Sequence, residues 1–294
     1  MRNSLWNCAI CMATVLIMTG CGNQSGQKAN GSMNTDSVKQ AGSLVNMQGD
    51  SLLATLTLDG TPITWIRDNA KERLMQRSLF PDASDSLLDS LSLTNGIPAS
   101  ISTFLIESEG KHLLFDTGMG APDSRLTDGL KALNLSPDDI DYLFITHFHG
   151  DHIGGMLKND SIVFPNAEVY ASQKEYDAWM GMPADQRKQV EKTMNAYKAH
   201  LHLFAFGDTL PGQVIPLDAA GHTPGHTVFQ RGKLLVIGDL FHGAALQLEH
   251  PEICATYDMN KEEAVKSRKY YLQYARKNGL VMAGMHLPVP AFLQ

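Results

Sequence analysis

The segment His147-Phe148-His149-Gly150-Asp151-His152 constrains this chain more than any other. It places four potential metal ligands within six residues, directly behind an apolar run, Asp141 to Thr146, that reads as a buried strand. His147 and His149 are two apart, so in extended backbone their rings leave the same side of the chain. Asp151 and His152 follow where a turn can aim them at a neighbouring point. Imidazole and carboxylate at this density suit a borderline divalent ion, Zn²⁺ above all. Chance would fix four such residue types in roughly one chain in 500 of this length, a strong signal that still needs partners elsewhere.

Three later pieces supply them. Ala220-Gly221-His222-Thr223-Pro224-Gly225-His226-Thr227 lies between two expected strands. Ile237-Gly238-Asp239 ends a third strand with a carboxylate, and Gly284-Met285-His286 follows a fourth. Together these pieces resemble the metallo-β-lactamase-fold hydrolase superfamily, with its H-x-H-x-D-H motif followed by a distal His, Asp and His. The resemblance runs from about Leu52 to His286 and takes in Asp116-Thr117-Gly118 and Phe164-Pro165-Asn166-Ala167. Within the superfamily the chain is most similar to the branch of methyl parathion hydrolase and the quorum-quenching lactonases.

That resemblance implies an α/β fold, the αβ/βα sandwich of two mixed sheets with helices on the outer faces and the site at one sheet edge. It implies one metal on His147, His149 and His222, and a second on Asp151, His152 and His286, with Asp239 bridging both. Two Zn²⁺ per chain are expected, and the ligand types also suit iron or manganese. Such a pair lowers the pKa of a bridging water, whose hydroxide attacks a carbonyl or phosphoryl centre. Asp151 is expected to pass the proton to the leaving group, and Asp239 to supply the charge that lets two dications sit together. His242, three residues after Asp239, stands where related lactonases often carry a substrate-binding tyrosine. It reads equally as a donor of the same bond or as a surface residue, and it joins Asp151 and Asp239 as a catalytic candidate. His226 and Asp116 read as braces for ligands, not as ligands. His112, His200, His202 and His250 read as surface or packing residues, while Phe148, Phe241 and Trp179 are either pocket lining or core.

The remaining sequence sets the context. Residues 51–294 read as one domain in which short β-type runs precede longer helical ones. Strands are expected at Ala54 to Leu58, Thr103 to Glu107, His112 to Phe115, Glu168 to Ala171, Leu201 to Phe206, Val214 to Leu217, Thr227 to Gln230 and Lys233 to Ile237. Helices are expected within Asp123 to Asn134, at Ser172 to Met180, at Ala184 to His200, and at Lys261 to Lys277 with Asn260 as its cap. Ahead of the domain, Arg2 and the eleven apolar residues Cys8 to Met18 form a signal peptide over 1–20. Met18-Thr19-Gly20-Cys21 resembles a bacterial lipobox, which implies lipid on Cys21 and a membrane-anchored, exported lipoprotein. Gly22 to Asp50 carries four charges among Gly, Ser, Asn and Gln, a flexible linker. Of the four cysteines only Cys254 lies beyond the leader and linker, so no disulfide framework is available to the domain.

Net charge is −7, with no cluster of Lys and Arg, which argues against nucleic acid as a partner. The partner is instead a small molecule, and the Leu52 to Phe80 segment, with Trp65 and Leu74, is a candidate homodimer surface. The expected function is an exported dinuclear zinc hydrolase of a small lactone, ester or organophosphate ester. The alternatives are a glyoxalase II-type thioesterase, for which no basic cluster offers glutathione a hold, and an inactive metal-binding lipoprotein. Aspartate at 239, where many zinc β-lactamases carry cysteine, disfavours antibiotic hydrolysis. Related chains continue for about thirty residues past the segment matching His286-Leu287-Pro288, so here His286 is expected to be less firmly placed.

Overall fold

In the computed structural model, which describes residues 52–294, the runs Phe104-Leu105-Ile106 and Leu113-Leu114-Phe115 are buried at every position. Successive strand side chains leave opposite faces, so this is tenable only in a sheet covered on both sides. That sheet has seven strands in chain order. They are β1 (Leu53–Leu58), β2 (Thr61–Arg67), β3 (Ser102–Ser108), β4 (Lys111–Phe115), β5 (Tyr142–Phe144), β6 (Glu168–Ser172) and β7 (Leu201–Phe204). β1 to β4 form an antiparallel meander, and β4 to β7 run parallel. The second sheet holds β8 (Ile215–Asp218), β9 (Thr227–Arg231), β10 (Leu234–Gly238), β11 (Val281–Gly284) and β12 (Phe292–Leu293), again in chain order. Only its β10–β11 pair is parallel.

The two faces of the first sheet feed two cores. Trp65, Phe104, Phe115 and Phe144 join Val228, Phe229 and Val236 of the second sheet in one apolar cluster. Phe229 reaches across to Phe115 and Phe144, with ring centroids 5.7 and 5.6 Å away. On the other face Ile66, Leu105, Leu114, Leu143 and Val169 meet three helices. These are α1 (Leu126–Ala132), which presents Leu126 and Leu130, then α3 (Gln173–Met180), then α4 (Ala184–Ala196) with Val190 and Met194. The intervening α2 (Gly150–Ile153) is a single turn. α5 (Lys261–Asn278) carries the chain from β10 to the parallel β11. Asn260 caps it by accepting from the Glu263 N–H, and Gly279 ends it. The result is the two-sheet sandwich with helices outside.

Most expected elements are present within a residue or two, but three features were not legible. β2 was missed because its run Thr-Pro-Ile-Thr-Trp-Ile-Arg shows no alternation and contains Pro62. Pro62 is tolerated because pairing with β3 begins only at Ile63, so β1 alone borders it. The stretch from Arg67 to Pro98 carries structure that no sequence pattern marks. Arg73–Met75 pairs with Ile97–Ala99, a helix spans Asp85–Ser90, and Phe80, Leu88 and Ile97 pack on Leu246 and Ile253 as a third small core. Trp65 is fully buried, its indole N–H donating to Ser102 Oγ at 2.7 Å, so it is core and not an exposed dimer contact. Leu74 of the same segment is 53% exposed. The leader, Cys21 and the linker lie outside the described residues. Among those described, no helix is long and apolar enough to cross a membrane.

Candidate metal centre

Parallel strands all deliver their C-terminal ends to one edge, and the chain uses four of them. Asp116 follows β4, His147 and His149 follow β5, Asp239 follows β10, and His286 lies two residues past β11. The β8–β9 connection adds His222, and α2 turns Asp151 and His152 back toward the same point. The two sheets are tied there, the Thr227 N–H donating to the Thr146 carbonyl at 2.9 Å.

The seven expected ligands converge in two groups. His147 Nε2, His149 Nδ1 and His222 Nε2 lie 2.8–3.1 Å from one another, with Asp239 Oδ2 3.4 Å from His222 and 3.7 Å from His147. On the other side Asp239 Oδ1 stands 3.2 Å from His152 Nε2, and Oδ2 stands 3.1 Å from His286 Nε2. Asp151 closes this group, Oδ2 3.3 Å from His286 Nε2 and Oδ1 3.7 Å from His152 Nε2. Asp239 therefore faces both groups.

The ring protons can be assigned from what holds the far nitrogens. His222 Nδ1 is 3.0 Å from Asp258 Oδ1, His152 Nδ1 is 2.7 Å from Asp116 Oδ2, and His286 Nδ1 is 2.8 Å from the Ser100 carbonyl. Thr146 Oγ1 donates to Asp116 at 2.7 Å, which leaves it to accept from His147 Nδ1 at 3.1 Å. Four rings thus turn Nε2 inward, and His152 Nε2 and Asp239 Oδ1 have no hydrogen-bond partner. Lone pairs and carboxylate oxygens packed this closely repel one another unless a cation lies among them. Ligands about 2.0–2.2 Å from a common Zn²⁺ lie about 3.0–3.5 Å apart, close to the 2.8–3.7 Å seen here. The residues present therefore fit metal ions.

Electrostatics divides the centre the same way. Burial holds His147 and His222 well below the usual imidazole range and brings His149 to about 4. Burial also opposes charge on His152, but Asp239, Asp116 and Asp151 outweigh it and raise that ring well above the ordinary value. Against burial, Asp239 and Asp151 likewise lift His286 to about 10. A field that holds protons on His152 and His286 is a field that holds a divalent cation in their place.

Other expectations fall as follows. His286 is firmly placed, correcting the expectation from the segment that follows it. It is 2% exposed, fixed through Nδ1, and backed by the return of β12 onto β11. His242 is not a surface residue. It is 2% exposed, its Nε2 lies 3.3 Å from Asp239 Oδ2, and neither ring nitrogen has a hydrogen-bond partner. His226 accepts the Asp239 N–H on Nε2 at 2.9 Å and sits 3.2 Å from the Ala219 carbonyl through Nδ1, so it sets the Asp239 backbone. Phe148, Phe241 and Trp179 are all core, Trp179 also meeting the His149 ring at 5.8 Å. His200 and His202 flank the Glu168 carboxylate far from the centre. Asp258 was missed. Its carboxylate joins His222 to the buried Arg268 guanidinium, 3.0 Å from each, and no motif or spacing marks it.

A two-sheet sandwich with imidazoles and carboxylates gathered at its edge defines a metal-binding α/β hydrolase architecture. The chain belongs to the metallo-beta-lactamase superfamily, whose family model matches residues 96–274. Among solved structures it is similar to the hydrolase AbOPH of the beta lactamase superfamily, with a TM-score of 0.74 and 27% identity over 83% of this chain and 93% of that one. It is also similar to AidC, a dizinc quorum-quenching lactonase in complex with the product N-hexanoyl-L-homoserine. That match has a TM-score of 0.76 and 25% identity over 83% of this chain and 94% of that one. A hydroxyacylglutathione hydrolase of Salmonella typhi is 30% identical over 161 residues, which are 52% of this chain and 53% of that enzyme.

Proposed function

We propose that this protein is a dinuclear zinc hydrolase of small lactones and esters, exported and anchored to a membrane through lipid on Cys21. His147, His149 and His222 would hold one ion and Asp151, His152 and His286 the other, with Asp239 facing both groups. The observation that carries the reading is the inward convergence of imidazole nitrogens on both sides of one buried carboxylate. When bound, the two ions supply an activated water and an electrophile for the substrate oxygen.

The chain's own side chains suit the rest of the task. Asp151, 20% exposed where Asp239 is 2%, is the outward-facing carboxylate able to carry a proton to a leaving alkoxide. His242 is buried beside Asp239 with no hydrogen-bond partner on either ring nitrogen, and a substrate carbonyl admitted to the centre would give it one. Tyr257, 45% exposed with its ring 5.7 Å from His242, puts aromatic surface beside the centre. Such surface suits an acyl chain better than a phosphate. The product held by the similar lactonase AidC favours the lactone.

The test is turnover by the zinc-loaded full chain in detergent against an acyl-homoserine lactone, an aryl ester, an aryl phosphotriester and an acyl-glutathione thioester. The lactone or ester should be preferred, and a chelator should abolish activity until zinc is restored. Preference for the thioester would establish the glyoxalase II-type alternative, and inactivity of fully metallated protein on all four would leave a metal-binding lipoprotein. His242→Phe should keep its metals yet lose roughly tenfold or more in kcat/KM on the preferred substrate, the worth of about one good hydrogen bond. Unchanged kinetics would remove His242 from the site. Mass analysis of the N-terminal peptide checks the anchor, since an unmodified Cys21 thiol would end that part of the proposal.

A further inference from the structure

Glu175 is a buried carboxylate that takes no part in the chemistry above. It is 1% exposed and sits in the first turn of α3, whose N-cap Ser172 accepts the Glu175 N–H. Burial pushes its carboxyl up, so something must repay the ionised form. Three N–H groups do. Oε1 accepts from the Phe148 backbone at 3.1 Å and from the Trp179 indole at 2.7 Å, and Oε2 accepts from the Gly225 backbone at 2.7 Å.

The donors come from three separate places, and each adjoins a ligand of the same group. Phe148 is the residue between His147 and His149. Gly225 lies three residues after His222, in a loop pressed against the helix so closely that a Cβ at 225 would fall 2.2 Å from the Glu175 nitrogen. Trp179 is the residue whose ring meets His149 edge-on. Glu175 makes no bond to Asp151, His152 or His286 themselves; His152 is held by Asp116 and Thr117, and His286 by the Ser100 carbonyl.

Resting on the dinuclear reading, we infer that Glu175 is the positioning residue of the three-histidine half of the centre. It clamps the strand-end loop of His147 and His149 to the loop of His222, and it sets Trp179 against His149. The three imidazole nitrogens of that half come from two loops belonging to different sheets, so their mutual spacing depends on a tie between those loops. Beside the Thr227–Thr146 backbone bond, Glu175 adds a tie with both carboxylate oxygens at once. A neutral amide in its place keeps the volume but presents an NH₂ to at least one of the three N–H donors, and that side of the clamp opens.

The experiment compares wild type, Glu175→Gln and Trp179→Phe as full-length protein. It measures zinc content by elemental analysis and the two stepwise zinc affinities by competition with a chromophoric chelator. Unfolding midpoints are taken with and without zinc. Glu175→Gln should lose about 10- to 100-fold in affinity at one site, the size typical when a residue orienting a ligand is removed, and hold the other as wild type does. It should also unfold without zinc within a few degrees of wild type, because a buried charge has been neutralised. Trp179→Phe keeps both backbone bonds of Glu175 and should change affinity by no more than a few-fold, which guards against a result that reflects folding alone. Equal affinities in Glu175→Gln and wild type, or an equal loss at both sites, overturns the inference while leaving the dinuclear reading intact. Wild type that binds no zinc at all overturns that reading, and the inference with it.

Discussion

On the proposed dinuclear reading, Asp239→Asn is expected to bring zinc content from two per chain to one or none, and to lower kcat/KM by about a thousandfold or more, roughly 4 kcal/mol of transition-state stabilisation. The side chain keeps its shape and loses only its charge. That charge is what the centre is organised around. Oδ1 faces His152 at 3.2 Å, and Oδ2 faces His286, His242 and His222 at 3.1, 3.3 and 3.4 Å. His152 and His286, against burial, hold the Asp239 carboxyl well below the usual carboxylate range, so at neutral pH it is an anion. Remove the anion, and two dications a few ångströms apart have one fewer negative group between them, while the three imidazoles of the first group are neutral and cannot compensate. Elemental analysis and steady-state kinetics check the prediction together. Full zinc content with activity within about tenfold of wild type would show that Asp239 does not bridge.

Gly154→Ala should be strongly destabilising. The conformation at 154 is helical and suits alanine, so the cost is steric. A Cβ there would lie 2.1 Å from the Met119 carbonyl oxygen and 2.6 Å from its carbon, with the Gly118 carbonyl oxygen at 3.2 Å. These are backbone atoms in a loop that cannot swing aside. Thr117, just upstream, bonds the His152 carbonyl through both its N–H and its hydroxyl, at 2.8 Å each. Asp116, at the root of the loop with φ 56°, accepts from Thr146 and holds His152. Separating the two backbones would cost about 3–5 kcal/mol, or roughly 6–20 °C in unfolding midpoint for a domain of this size. It would also shift His152, so zinc affinity should fall with stability. A midpoint within about 2 °C of wild type would mean that the two loops are free to part.

The metal-binding character of the chain was legible because it is written locally. His147, His149, Asp151 and His152 lie within six residues, and the spacing of β5 and the turn after it is enough to bring them together. His222, Asp239 and His286 each follow a recognisable strand, so the pattern of a strand ending in a ligand could be read three more times. The capping of α5 by Asn260 was equally local, a side chain bonding three residues along its own helix.

What the sequence could not disclose is whatever depends on two distant segments meeting. Asp258 braces His222 across 36 residues, and Glu175 ties backbone N–H groups 27 and 50 residues away, yet a lone Asp or Glu in a helical or loop segment looks like any solvated surface carboxylate. Trp65 shows the opposite case. An apolar residue in an unpatterned run reads as exposed until the second face of its sheet is known to be covered. His286 is held by the Ser100 carbonyl, 186 residues away, so its rigidity could not be judged from the few residues that follow it. Residue type and short spacing determine which atoms can bind a metal, because ligand chemistry and strand or turn geometry act over a few residues. Which nitrogen carries the proton, which carboxylate is buried and how firmly each ring is aimed were decided only by the tertiary structure, because a hydrogen bond acts over about 3 Å of space regardless of separation along the chain.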